Sequence, residues 1–266
     1  MNLQLFTHDP AYAAAATRAG VAGIIVDWEF RAKDRRQAGF DTEINEGVPE
    51  TLAAIRAATD APVICRINNC PESRRHELLL ACQLGANEVL LPMVRTLAEV
   101  QHCLAVLPPG RKLGILVETG ESLALAAELS ALPLSRVYVG LNDLLIQRGS
   151  GHLFSPLIDG TLDRFRAAYT GHFSVAGFTL PEKGHPIPCR LLMAELARIG
   201  CDYGVARRSF RRDIPLDQLP SGVAAIQSEW RALQLRDASI VESDHQAFVA
   251  QVRHIIAQTG RPACAC

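Results

Sequence analysis

The sequence predicts a (β/α)8 TIM barrel with extra C-terminal helices. Three observations carry that prediction. Apolar runs of strand length recur along the chain without the polar alternation of a sheet that has one wet face. Segments of helical periodicity separate them, so the strands run parallel. Polar and charged residues gather where the apolar runs end, which is where a barrel builds its active site.

The elements follow in order. LQLFTH (3–8) is a short apolar run, and Asp9-Pro10 opens a helix that Gly20 stops. GIIVDWE (23–29) is β-branched and strand-like, and 48–60 has helical periodicity. PVICRIN (62–68) reads as a strand, followed by a helix over 74–85. EVLLPMV (88–94) precedes a helix over 96–107, and KLGILVET (112–119) precedes one over 121–132. RVYVGLNDL (136–144) reads as the sixth strand, with a helix over 162–170 after a longer loop. SVAGFTL (174–180), a helix over 189–200 and DYGVARRSF (202–210) complete eight units. Two helical segments remain, 223–235 and 245–258. The chain therefore reads as a single TIM-barrel domain over 1–266, with 211–266 a C-terminal helical extension. One extra helix would close the barrel and the other reach a neighbouring subunit, so a homo-oligomer is expected. An open doubly wound sheet is the competing topology, but no GxGxxG follows the first strand.

Composition excludes several function classes. The 266 residues are 48% hydrophobic and 21% charged with a net charge of −1, which suggests no nucleic acid partner. No apolar run reaches the ~20 residues of a membrane span. MNLQLFTHDP lacks the basic and apolar regions of a secretory signal, so a cytoplasmic location is expected. None of the eight cysteines forms a CxxC pair, and free, mostly buried thiols are expected. The CAC end is expected to be loose rather than to bind metal.

The candidate site lies at the strand ends. Thr7, His8 and Asp9 end the first, Asp27 and Glu29 the second, and Arg66 and Asn68 the third. Glu118 ends the fifth, Asn142 and Asp143 the sixth, and Arg207, Arg208 and Ser209 the eighth. Side chains two apart share a face, so Asp27 joins Glu29 and Arg66 joins Asn68. Glu118 and Asp143, on adjacent strands, suit a hard divalent cation such as Mg2+, completed by water and substrate oxygens. Such an ion can polarise a carbonyl. Arg66 can grip a substrate carboxylate or enolate oxygen in two-pronged fashion. It can equally sit in an internal ion-pair network with Asp27, Glu29 or Glu118. The polar insert over 29–47 is long for a connection and reads either as a substrate lid or as a solvated loop.

GIIVDWE, ICRIN, GANEVLLPMV, ILVET and VYVGLNDL, in this order, resemble the HpcH/HpaI aldolase and citrate lyase β-subunit family over roughly residues 5 to 210. The resemblance implies a (β/α)8 barrel that binds Mg2+ (or Mn2+) and the enolate of a pyruvate-like or acyl-CoA compound. By motif position it implies Glu118 and Asp143 as metal ligands and Arg66 as the residue that steadies the enolate oxygen. Asp27 and Glu29 would support the arginine and the metal waters. Gly140, Leu141 and Asn142 would offer backbone to the substrate carboxylate, and Pro92 and Met93 a pocket wall. Phe30 departs from the histidine or acid that the family carries there, and Leu116 replaces a glutamine common in the aldolases. His8 is the candidate replacement base, with His185 or a metal-bound water as alternatives. Arg207 or Arg208, but by alternation only one of them, would enter the mouth, and Arg207 is the substrate-binding candidate.

The function expected is a divalent-metal-dependent carbon–carbon lyase or aldolase of the metal-dependent class, working through a pyruvate-type enolate of a 2-oxo acid. A citrate-lyase-like acyl-CoA lyase or thioesterase is one alternative, with Arg31, Lys33, Arg35 and Arg36 as its basic groove or simply as a solvated face. A non-catalytic barrel that binds metal and an oxo acid is the other.

Overall fold

A computed structural model describes residues 1–30 and 47–259. The lid reading falls on 29–47, of which 31–46, with the basic groove of Arg31 to Arg36, lie outside the described residues, as does the CAC end within 260–266. Eight parallel strands close a barrel in sequence order. They are β1 (Asn2–Phe6), β2 (Gly23–Asp27), β3 (Val63–Arg66), β4 (Glu88–Leu91), β5 (Lys112–Val117), β6 (Arg136–Val139), β7 (Phe173–Phe178) and β8 (Tyr203–Ala206). This is the (β/α)8 architecture that the apolar runs predict.

Alternation sorts the strands' side chains into two cores. Ile25, Ile64, Leu90, Leu116, Tyr138, Tyr203 and Val205 fill the barrel, with Phe6 and Ala176 packed on them. Val26, Cys65, Val89, Ile115 and Val175 point outwards to the helices. Every run is therefore buried on both faces, the physical cause of its unbroken hydrophobicity. The six described cysteines are free, and all but Cys70 are buried.

At the base of the barrel, the Arg136 side chain donates to the buried Glu88 at 2.7 Å. It also lies over the Tyr203 ring, 4.8 Å from its centroid. A cavity of about 830 Å³ opens on this face. Among the described residues no helix is long and apolar enough to cross a membrane.

Several boundaries differ from the sequence reading, and the strand read over 202–210 stops at Ala206, with Phe210 opening a short helix, Phe210–Asp213. The segment 121–132 is two short helices, Gly120–Ala124 and Ala126–Ser130. The sixth strand stops at Val139, and LNDL opens a helix, Leu141–Arg148, that Gly149 ends in the left-handed conformation. The two C-terminal helices start earlier, as Leu219–Gln234 and Ala238–Thr259. Gly222 fits inside the first of them because Ile214 packs where a Cβ would stand. Asp237 starts the second by accepting the Ile240 N–H at 2.9 Å.

Both C-terminal helices pack on the outer layer beside Cys189–Arg198. Trp230 is buried with its ring 5.4 Å from that of Phe178 on β7. The second helix is pinned by His245 Nδ1, 2.9 Å from the buried Glu195 carboxylate, which Arg198 also holds.

Candidate active site

The mouth is organised around Arg66. Register places Asp27 beside it on the neighbouring strand. Its Nε donates to Asp27 Oδ1 at 2.8 Å and its Nη2 to Oδ2 at 2.6 Å, a two-pronged pair. Nη1 is 3.3 Å from Glu29 Oε2. The Phe6 ring lies against the guanidinium, with its centroid 5.1 Å away. Glu29 is itself oriented by its backbone N–H, which donates to Asp27 Oδ1 at 3.0 Å. Burial opposes the charge on Arg66, and the carboxylates of Asp27, Glu29 and Glu118 outweigh it, so the guanidinium stays protonated well above its ordinary range. The internal ion pair that the sequence left open is thus present. An arginine has five N–H donors, and Asp27 takes two of them, so the pair fixes the guanidinium's plane and still leaves donors on Nη1 and Nη2.

Glu118 follows the last residue of β5. It does not cap the next helix: Thr119 does, its Oγ1 accepting the Ser122 N–H at 3.1 Å. The Glu118 carboxylate is instead drawn into the mouth. Its Oε2 accepts the Met93 N–H at 2.9 Å. Met93 reaches it with φ of 50°, in the left-handed region that a side chain rarely adopts. Gly140 leaves room for the carboxylate: a Cβ there would collide with Glu118 Oε1, Cγ and Cδ. Burial first, then the charges of Asp143 and Glu29, push the Glu118 carboxyl up to about 8 against the pull of Arg66 and the Met93 N–H.

Asp143 stands in a different setting from the strand end that the sequence suggests. It lies in the first turn of Leu141–Arg148 and is 5% exposed. A carboxylate there meets the positive end of the helix dipole, a favourable setting for an acid. Asp143 is close enough for its charge to add to the burial that raises Glu118. Among the described residues no group of three or more His, Cys, Asp or Glu is arranged to hold a metal. Two carboxylates nevertheless fit a hard divalent ion of the Mg2+ type, which keeps several waters and takes few protein oxygens.

The other candidates fall into distinct places. His8 is not aimed across the mouth through Nε2: that nitrogen accepts the Asp27 N–H at 3.1 Å. Nε2 therefore carries no proton, and the ring braces the end of β2. Asn68 is buried in the frame, donating to Trp28 O at 2.9 Å and accepting the Phe30 N–H at 3.2 Å. Pro92 and Leu141 are buried, while Asn142 is exposed. Phe30 is 43% exposed. Arg207 turns to the loop after β7, where its Nη2 donates to His185 O at 3.0 Å. Arg208, its exposed neighbour, acts electrostatically on the Tyr138 hydroxyl inside the barrel and so lies closer to the mouth. The Met93 N–H and the space at Gly140 are the parts of the site that residue types do not signal. Only the positions of a Gly beside a strand end and of Pro92-Met93 after an apolar run hint at them.

No family model matches the chain, and no curated protein matches it. Solved structures do. RipC from Yersinia pestis is similar at 17% identity with a TM-score of 0.57, covering 91% of this chain and 98% of that one. A citrate lyase from Burkholderia xenovorans LB400 is similar at 14% identity with a TM-score of 0.58, covering 98% and 93%. The citrate synthase SbnG is similar at 15% identity with a TM-score of 0.59, covering 86% and 94%. At these identities the likeness is one of fold: this chain is a closed (β/α)8 barrel of the form those proteins share.

Proposed function

We propose that this chain is a divalent-metal-dependent carbon–carbon lyase or aldolase acting through a pyruvate-type enolate. The observation that carries the reading is the pairing of opposites in one buried mouth. Two carboxylates, Glu118 and Asp143, face a guanidinium that Asp27 and Glu29 lock in place. The names of two fold neighbours, a citrate lyase and a citrate synthase, support carbon–carbon chemistry.

Glu118 and Asp143 would hold Mg2+ or Mn2+, which supplies Lewis acidity to a bound 2-oxo acid. Arg66 binds the carboxylate or keto oxygen of the substrate through its remaining Nη donors. Its fixed charge favours the state in which negative charge develops on that oxygen. Asp27 keeps the guanidinium from rotating, and His8 holds the backbone that carries Asp27. Phe30 supplies no proton, so the proton-transfer step falls to a group or water other than the residue at 30.

Proton NMR of pyruvate in deuterium oxide tests the reading. Exchange of the C3 protons that needs both protein and Mg2+, and vanishes in Glu118→Ala, is expected. Metal-independent exchange, or full exchange by Glu118→Ala, would sink it. Binding of Mg2+ and oxalate without exchange would favour the non-catalytic barrel instead.

A further inference from the structure

We infer that the Tyr138 hydroxyl is a substrate-positioning hydrogen-bond donor, aimed from the inner wall of the barrel into the mouth at an oxygen of the bound oxo acid. The inference rests on the enolate reading above and adds a residue to it.

Two tyrosines, Tyr138 and Tyr203, lie in the barrel's interior core. Tyr203 serves the base. Its O–H donates to Val137 O at 2.8 Å, its ring carries Arg136, and it lines the basal cavity. Tyr138 is absent from that cavity's lining yet keeps 8% exposure, so its opening to solvent is on the other side. The charges that act on its hydroxyl are Arg66, Glu118, Asp27 and Arg208, all residues at or beyond the C-terminal strand ends.

Register supports the same direction. Tyr138 on β6 pairs with Leu116 on β5, and Glu118 stands two residues further up. That rise is about 6–7 Å, a span a tyrosine side chain covers. Arg66, on β3, approaches from across the barrel.

Among the described residues no group makes a hydrogen bond with the Tyr138 hydroxyl. A polar group in a largely buried position is costly unless something satisfies it, and water or ligand in the mouth is what remains. Burial pushes the phenol up, so it stays a neutral donor across the physiological range. A neutral donor opposite a guanidinium suits the substrate oxygen on which enolate charge develops, the oxygen that one end of oxalate mimics.

Titration calorimetry with Mg2+ and then oxalate, an enolate mimic, tests this on the full chain, with Tyr138→Phe and Tyr203→Phe compared. Tyr138→Phe is expected to keep its Mg2+ affinity and melting temperature. It should bind oxalate roughly ten-fold more weakly, the loss of one hydrogen bond. Tyr203→Phe should bind oxalate as the wild type does. Unchanged oxalate affinity in Tyr138→Phe would overturn the inference, as would an equal loss of Mg2+ affinity. If the wild type takes Mg2+ but no oxalate, the enolate reading itself fails and this inference falls with it, a result visible without any variant.

Discussion

At the residue scale, Glu118 concentrates the site's physics. Burial, and then the charges of Asp143 and Glu29 in the same space, push its carboxyl up to about 8. On the proposed reading an incoming divalent ion would displace the proton that Glu118 carries, so affinity for Mg2+ should rise with pH up to about 8 and level off above it. Calorimetry at pH 7 in buffers of different ionisation enthalpy should record proton release on Mg2+ addition, and Glu118→Gln should record neither release nor binding. Gly140→Ala is predicted to push the carboxylate off the Met93 N–H, weakening Mg2+ binding while the barrel's circular dichroism stays that of the wild type. The acids and Arg66 were legible in the sequence because charged residues that end apolar runs have few explanations. The Met93 N–H was not, because a backbone donor in a left-handed turn has no residue-type signature. His8 was legible as a polar residue at a strand end, but its ring accepts a backbone N–H, a use that a sequence does not distinguish from catalysis.

At the scale of elements, the turn after β5 fastens the site to the scaffold. Thr119 is fully buried and bonds in two directions: Oγ1 donates to Val94 O at 2.8 Å and accepts the Ser122 N–H. Thr119→Val keeps the shape and orphans both partners, so it should cost about 2 kcal/mol in urea unfolding. It should also loosen Glu118, which precedes it. The helix Leu141–Arg148 shows where pattern reading runs out. VYVGL runs apolar into Asn142 and Asp143 and on into further leucines, and so short an apolar run is ambiguous between strand and helix. Gly140 and Gly149, which bracket the helix, were the available signals, and they place Asp143 in a helical first turn rather than on a strand.

At the scale of the whole molecule, the barrel and its C-terminal helices share one outer core. Trp230→Ala removes a fully buried ring that packs on β7, and a loss of roughly 3–5 kcal/mol is expected in chemical denaturation. The alternative, a local fraying of the helix with the barrel's transition unmoved, would show the extension to be separable. The metal-free protein should also lose stability as pH rises. Glu118 has a folded-state value near 8 against an ordinary 4.5, so the folded state holds the extra proton between them. Its contribution is fully present below about 4.5 and is lost through about 8, a slope that Glu118→Gln should flatten. The fold was legible at this scale because eight unbroken apolar runs, separated by helices, can bury both faces in few other ways.

The interior layer of Ile25, Ile64, Leu90, Leu116, Tyr138, Tyr203 and Val205 has one more consequence. Among the described residues it stands as a stopper between the mouth and the basal cavity. If the proposed enolate forms in that mouth, a hydrogen delivered to its planar carbon would arrive from one side, and a chiral methyl group would carry the record of it. Alterations at the opposite vestibule, around Arg136 and Glu88, should shift the melting point without touching that handedness.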